Sequence, residues 1–187
     1  MWLVRVNMSD LSYKVEDLPE AYKYLGGRGL TSTIVADEVP PLAHPLGPNN
    51  KLVFSPGYVT GTTAPTSSRM SVGAKSPLTG GIKETNAGTS WGCDLAEMQV
   101  RGLVIEGQLK EKGKYWGIHM TWDAAAGKPK LVFFDATEYA GKDLFEVFPK
   151  LYARFGEKVS ISGCGVVGEY GYGNAGVVFN DQEKRPT

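Results

Sequence analysis

Residues 56–92 read PGYVTGTTAPTSSRMSVGAKSPLTGGIKETNAGTSWG. Of these 37 residues, 12 are Ser or Thr and 7 are Gly, and one acid, Glu84, stands against Arg69, Lys75 and Lys83. The segment has little apolar mass for a core. It is rich in backbone N–H groups and hydroxyls. Glycine lets the backbone approach a ligand with no Cβ in the way, and successive N–H groups in turns form concavities that hold anions. A phosphate-bearing, highly polar ligand is the natural partner, and a turn-rich connection between strands is the plain alternative.

Working outward, 51–54 reads as an apolar strand feeding the segment and 69–74 as a strand within it. A helix over 90–100 and a buried strand at 103–106 follow. Upstream, 2–6 and 11–15 read as strands about a turn. Residues 17–25 predict a helix stopped at Gly26-Gly27, and 29–38 a second helix closed by Pro40-Pro41. Downstream, 115–122 and 130–134 pair as a hairpin. The clearest helix covers 143–155, where Leu144, Val147, Phe148, Leu151, Tyr152 and Phe155 recur at the spacing of one apolar face. That stripe is core rather than site, and Gly156 ends it. Strands at 159–162 and 176–179 close the sequence. Short strands with a few helices give an α+β fold class, and 187 residues suit one domain or two intimately packed halves.

An internal echo supports two halves. Residues 51–61 align with 158–168, identical at four of eleven positions, and six glycines fall among residues 163–176. At that offset the counterpart of Asn86 lies past Thr187, so the second half is expected to stop before its own ligand loop.

Lys+Arg and Asp+Glu both number 20, which argues against a nucleic-acid binder of the polyanion type. Cys93 and Cys164, without a C-x-x-C, cannot alone hold zinc or an iron–sulfur cluster; they are expected to be buried small residues. His44 and His119 are too far apart in sequence to suggest a histidine site. There is no signal-peptide pattern and no apolar run of membrane-spanning length, so a soluble, cytoplasmic protein without membrane association is expected.

The ordered set Thr60-Gly61, Ala64-Pro65-Thr66, Ser68-Arg69, Lys75-Ser76-Pro77-Leu78-Thr79-Gly80 and Asn86-Ala87-Gly88 resembles the aldehyde:ferredoxin oxidoreductases. These are tungsten (sometimes molybdenum) enzymes with a bis-pterin cofactor and a 4Fe-4S cluster. The likeness continues through Arg5-Val6-Asn7, Gly26-Gly27-Arg28-Gly29, Asn50-Lys51-Leu52, Val104-Ile105-Glu106-Gly107 and Gly168-Glu169. It implies that 1–187 is the amino-terminal domain, cut short at its carboxyl end. The implied fold has two pseudo-symmetric halves with mixed β-sheets and a few helices, forming a base for a metallopterin. Later helical domains would carry the cluster cysteines, the acid/base residues and most of the substrate channel. The family's C-x-x-C-x-x-x-C motif, and the Ala-Gly-Arg-Gly-Gly loop that follows an Asn-Asp like Asn180-Asp181, do not occur in this sequence. The domain alone is expected to be inactive.

By the same resemblance, Arg69 hydrogen-bonds the cofactor between pterin and cluster, as a guanidinium suits. Asn86, Ala87 and Gly88 meet the pterin phosphates, and the Asn86 carbonyl helps hold a magnesium ion, which favours oxygen ligands. Thr89 or Ser90 caps the following helix, turning its N-terminus toward the anion. Lys75 reads as a surface lysine in an architectural turn, Arg28 as structural and Glu106 as a strand-end residue. The implied activity oxidises aldehydes to carboxylates with ferredoxin, or another iron–sulfur carrier, as acceptor. The remaining helical domains are the implied partners, and the family leaves room for a homo-oligomer. From another class, a non-catalytic pterin-binding or subunit-assembly module fits the same residues.

Overall fold

The computed structural model describes residues 1–187. In β1 (Trp2–Asn7), Leu3 faces one side and Val4 and Val6 the other, all fully buried. Side chains alternate across a strand, so β1 must lie inside a sheet covered on both faces. That sheet also holds β2 (Ser12–Asp17), β3 (Lys51–Pro56), β4 (Met70–Lys75), β5 (Ile82–Ala87) and β6 (Val100–Glu106), in the order β2-β1-β6-β3-β4-β5. Only β1 and β6 run parallel. Helix α1 (Gly27–Glu38) covers one face, setting Leu30, Ile34 and Val35 against Leu3, Val53 and Val104. On the other face Val4, Phe54, Met70 and Leu103 meet Leu95 of α2 (Ser90–Glu97) and, from the later sequence, Leu131 and Phe179.

The later elements are β7 (Trp116–Asp123), β8 (Lys128–Asp135), α3 (Leu144–Phe155), β9 (Ser162–Gly163), α4 (Val166–Glu169) and β10 (Val178–Phe179). They form two antiparallel pairs, β7–β8 and β9–β10. The Asp143 side chain accepts the Phe145 N–H at 2.8 Å and caps α3. Phe148 and Tyr152 bury against Ile161, and Gly156, at φ 93°, ends the helix.

These elements repeat those of the first half. Each half runs hairpin, 3-10 turn, 12-residue helix, strand, glycine-bearing connection and antiparallel strand. The turns Glu20–Tyr22 and Thr137–Tyr139 each end on a buried tyrosine and precede their helices at the same spacing. A Trp2↔Asp17 pair in the first hairpin matches Trp116↔Asp135 in the second.

Several sequence expectations need correcting. The helix over 17–25 is only the 3-10 turn, because Pro19 and Gly26 bracket too few residues to repay helix nucleation. Strand β5 was not expected: most of it is exposed, so it shows no apolar alternation. The closing strands are shorter than read. Cys93 is half-buried and Cys164 exposed, both free, rather than core residues. Lys75 is buried, not a surface lysine; its Nζ donates to the Pro41 carbonyl, and its N–H donates to Asn50 Oδ1 at 3.1 Å. No helix is long and apolar enough to cross a membrane.

Candidate functional site

The antiparallel pairing of β4 and β5 brings the start of one strand beside the end of the other, with Met70↔Ala87 and Ser71↔Asn86 in register. Arg69, just before β4, and Asn86–Gly88, at the end of β5, therefore share one end of the sheet. A Cβ on Gly88 would lie 3.9 Å from both Cγ and Cζ of Arg69, an ordinary contact distance, so the Arg69 side chain runs beside the Gly88 backbone. Ser71 Oγ donates to Asn86 Oδ1 at 2.6 Å, which fixes the Asn86 side chain. The carbonyl of Arg69 accepts the Gly57 N–H and the Thr60 hydroxyl, each at 3.0 Å. Backbone, not side chain, is what the loop 57–69 anchors.

Two helices begin at the same end. Thr89 Oγ1 accepts the Trp91 N–H at 3.3 Å and caps α2. The body of α2 lies hard against the loop: a Cβ at Gly92 would come within 2.7 Å of the Ser68 carbonyl, and one at Gly61 (φ +80°) within 2.5 Å of Ala96 Cβ. Helix α1 starts at Gly27, whose N–H donates to Ser55 Oγ at 3.1 Å, with Gly26 packed on the Tyr58 backbone. Helix N-termini carry partial positive charge. Arg69 adds a full one, exposed and paired with no carboxylate. Glu84 is turned to Arg28 at 3.5 Å. Glu106 ends β6 in an ion pair with Lys51.

Arg101 at the start of β6 escaped the sequence reading. Its guanidinium lies 4.7 Å from the Tyr58 ring centre, Nη1 donates to the Tyr58 carbonyl at 3.1 Å, and Nε is buried without a partner. Burial pushes its pKa down. The signal was present, an arginine in the apolar run VRGLVIE. The Lys75-Ser76-Pro77 turn lies at the opposite end of β4, beside Gly173 of the second glycine-rich loop.

Donors thus converge on an open, carboxylate-poor platform: Arg69, the uncovered Gly88 backbone and two helix starts. It can bind a polyanion but has no base or nucleophile of its own. No three His, Cys, Asp or Glu side chains gather in the chain. The residues fit a phosphate-bearing group. They fit a metal only through backbone or ligand oxygens; β5 is an edge strand, so its outer backbone pairs with no neighbour.

The model of the aldehyde ferredoxin oxidoreductase N-terminal domain matches residues 3–186. The tungsten-containing aldehyde ferredoxin oxidoreductase of Thermococcus kodakarensis is 38% identical over 169 residues, covering 89% of this chain and 26% of that protein. The Pyrococcus furiosus protein of the same name is 37% identical over 169 residues, with the same shares. The chain therefore spans about a quarter of the length of these relatives. Among solved structures, the active-site complex BamBC of benzoyl coenzyme A reductase superposes with a TM-score of 0.81 at 23% identity. That match covers 96% of this chain and 26% of the other, and it shows the shared fold.

Proposed function

The chain belongs to the aldehyde ferredoxin oxidoreductase family as its N-terminal domain, and from that premise we propose that it seats a tungsten–pterin cofactor in a larger oxidoreductase. Arg69 donates to pterin or phosphate oxygens, where a bidentate guanidinium gives both charge and orientation. Gly88 and Ala87 let the cofactor approach the backbone, and the α2 N-terminus faces its phosphate. The Asn86 carbonyl would help hold a magnesium ion beside the phosphates, the Asn86 side chain being held aside by Ser71. When bound, the metallopterin supplies the two-electron chemistry; the protein orients it and excludes water. The reaction is oxidation of an aldehyde to a carboxylate, with ferredoxin as acceptor. The 4Fe-4S cluster is held by residues outside 1–187.

The observation that carries this reading is Arg69 itself: exposed, without a carboxylate partner, and laid against a glycine between two helix starts. A hydrogen bond to a charged group contributes about 1.5–3 kcal/mol, or roughly tenfold and more in affinity. In the holoenzyme from tungstate-supplied cells, Arg69→Ala and Gly88→Val should cut tungsten and pterin per polypeptide by that factor, with the circular dichroism spectrum unchanged. Wild-type metal content in both variants would remove this platform from the cofactor site.

A further inference from the structure

Helix α1 begins at the Arg69 end of the sheet and carries Arg28 in its first turn. We propose that Arg28 is a second arm of the anion platform, exchanging Glu84 for a phosphate oxygen when an anion binds. The proposal rests on the platform as a phosphate seat and adds to it a pair of residues with opposite effects on affinity.

The sheet face under α1 places the pair. A Cβ on Gly27 would lie 3.4 Å from Ser71 Oγ, and one on Gly73 would lie 2.7 Å from Thr31 Cβ, so α1 runs along β4 away from its Arg69 end. On the neighbouring strand β5, Asn86 lies opposite Ser71 and Glu84 opposite Gly73. Residues two apart on a strand share a face. Glu84, Asn86 and the Gly88 backbone therefore form a line that passes the first turn of α1 and ends beside Arg69. In a helix each Cα–Cβ bond tilts toward the N-terminus, so the Arg28 side chain leans toward that same end. Two residues along a strand span about 6–7 Å. A change of rotamer in a side chain as long as arginine carries the guanidinium from Glu84 to an anion seated beside Asn86.

The contact between the two is loose. Arg28 Nε stands 3.5 Å from Glu84 Oε1, longer than an ordinary hydrogen bond, and Glu84 Oε2 is buried with no partner. The Arg28 side chain is 69% exposed and that of Glu84 only 23%. An exposed pair of this kind contributes little, so the arginine leaves at small cost while the carboxylate stays in place. Arg5 shows what a fixed arginine looks like here: Nη1 and Nη2 hold Glu38 at 2.8 and 2.7 Å. Glu84 is also the one acid among residues 56–92. Its charge offsets Arg28 beside Arg69 and the helix starts until a bound anion does so, which makes Glu84 a positioning residue that acts through Arg28.

The test measures the affinity of inorganic pyrophosphate for 15N-labelled protein at low salt, read from the amide shifts of Arg69, Gly88 and Thr89. Arg28→Gln should weaken binding about tenfold, and Arg28→Lys should restore part of the loss. Glu84→Gln should tighten binding about two- to fivefold. In the double variant that gain should vanish, because the carboxylate works through Arg28. The proposal is overturned by unchanged affinity in Arg28→Gln, or by no gain in Glu84→Gln. It is overturned equally by the same Glu84→Gln gain with and without Arg28, which would mark plain repulsion between carboxylate and anion. Arg69→Ala separates this from the platform itself. If Arg69→Ala weakens binding and Arg28→Gln does not, the platform stands and Arg28 is no part of it; if neither does, the platform reading fails and takes this one with it.

Discussion

At three matched positions the two halves use opposite chemistry. In the first, Arg5 bridges two carboxylates: Nη1 and Nη2 hold Glu38 at 2.8 and 2.7 Å, and Nε holds Glu16 at 2.8 Å. In the second, the same places carry His119, Phe155 and Phe134, with ring centres 4.5 Å apart for His119–Phe155 and 4.9 Å for Phe134–Phe155. Arg154 closes over the Phe134 ring at 4.7 Å. Both trios fasten the last residue of the long helix to the hairpin beneath it. The fold requires the contact and leaves its chemistry free. Where Lys51 and Glu106 extend the charges, an ion network serves; in the second half, where Lys158 at the place of Lys51 makes no ion pair, aromatic packing does.

The halves differ most in how well they are filled, and core truncation measures that directly. Ile34 is fully enclosed by Leu3, Val53 and Val104, so Ile34→Ala should cost about 2–5 kcal/mol in urea unfolding, as buried aliphatic deletions do. Leu151, at the matching place in α3, lines the largest cavity, a groove of about 510 Å³, and Leu151→Ala should cost about 1 kcal/mol, the worth of the area it does bury. Equal losses would mean that the groove is closed in solution and the halves are alike.

Close packing gives a sharper, smaller contrast. A Cβ on Gly73 would meet Thr31 Cβ at 2.7 Å, and β-branched Thr31 cannot turn away. Gly73→Ala should cost about 1–3 kcal/mol. A Cβ on Gly117 would come closer still, 2.1 Å from the Phe134 ring tip. Yet that ring is half-buried beside the groove and can swing, so Gly117→Ala should cost less than Gly73→Ala. The reverse order would show that the aromatic trio is the more rigid fastening.

The sequence made the central strands of the first half legible because they are buried on both faces. Apolar runs such as LVF in 52–54 and LVI in 103–105 mark β3 and β6 without help from the fold. Glu84 and Thr85 on β5 face solvent or Arg28, so nothing in their order distinguishes a strand from a turn. The 3-10 turn at Glu20–Tyr22 copied a helix pattern too short to sustain one. In the candidate site, the neighbourhood of Arg69 and Gly88 depends on an antiparallel pairing that spacing alone does not specify. Arg101 and buried Lys75 were obscured because long cationic side chains look alike in sequence whether they reach water or, like Lys75, a carbonyl. Matching the two trios needed registers from both hairpins, since each strand of the second is 8 residues long against 6 in the first, which shifts the offset partway through.

Acid titration should distinguish the two fastenings at the smallest scale. Glu16 is held below the ordinary carboxylate range by its hydrogen bond to Lys14, with Arg5 adding to this against burial. For Glu38, burial pushes upward, but Arg5 and Lys51 together outweigh it, so its pKa is also lowered. A depressed carboxylate pKa contributes stability above the unfolded value and loses it as pH falls, here below about pH 4.3. Burial lowers the pKa of His119 among its aromatic neighbours. The unfolded chain then binds that proton first, so this stability is present above about pH 6.5 and declines below it. Urea midpoints followed from pH 7.5 downward should show two falls about these ordinary values. His119→Gln should flatten the upper one and Glu38→Gln should shrink the lower, of which Glu16 keeps a part, each leaving the other intact. If His119→Gln leaves the upper limb unchanged, the imidazole is hydrated and the aromatic trio does not exclude water as the ion network's counterpart must.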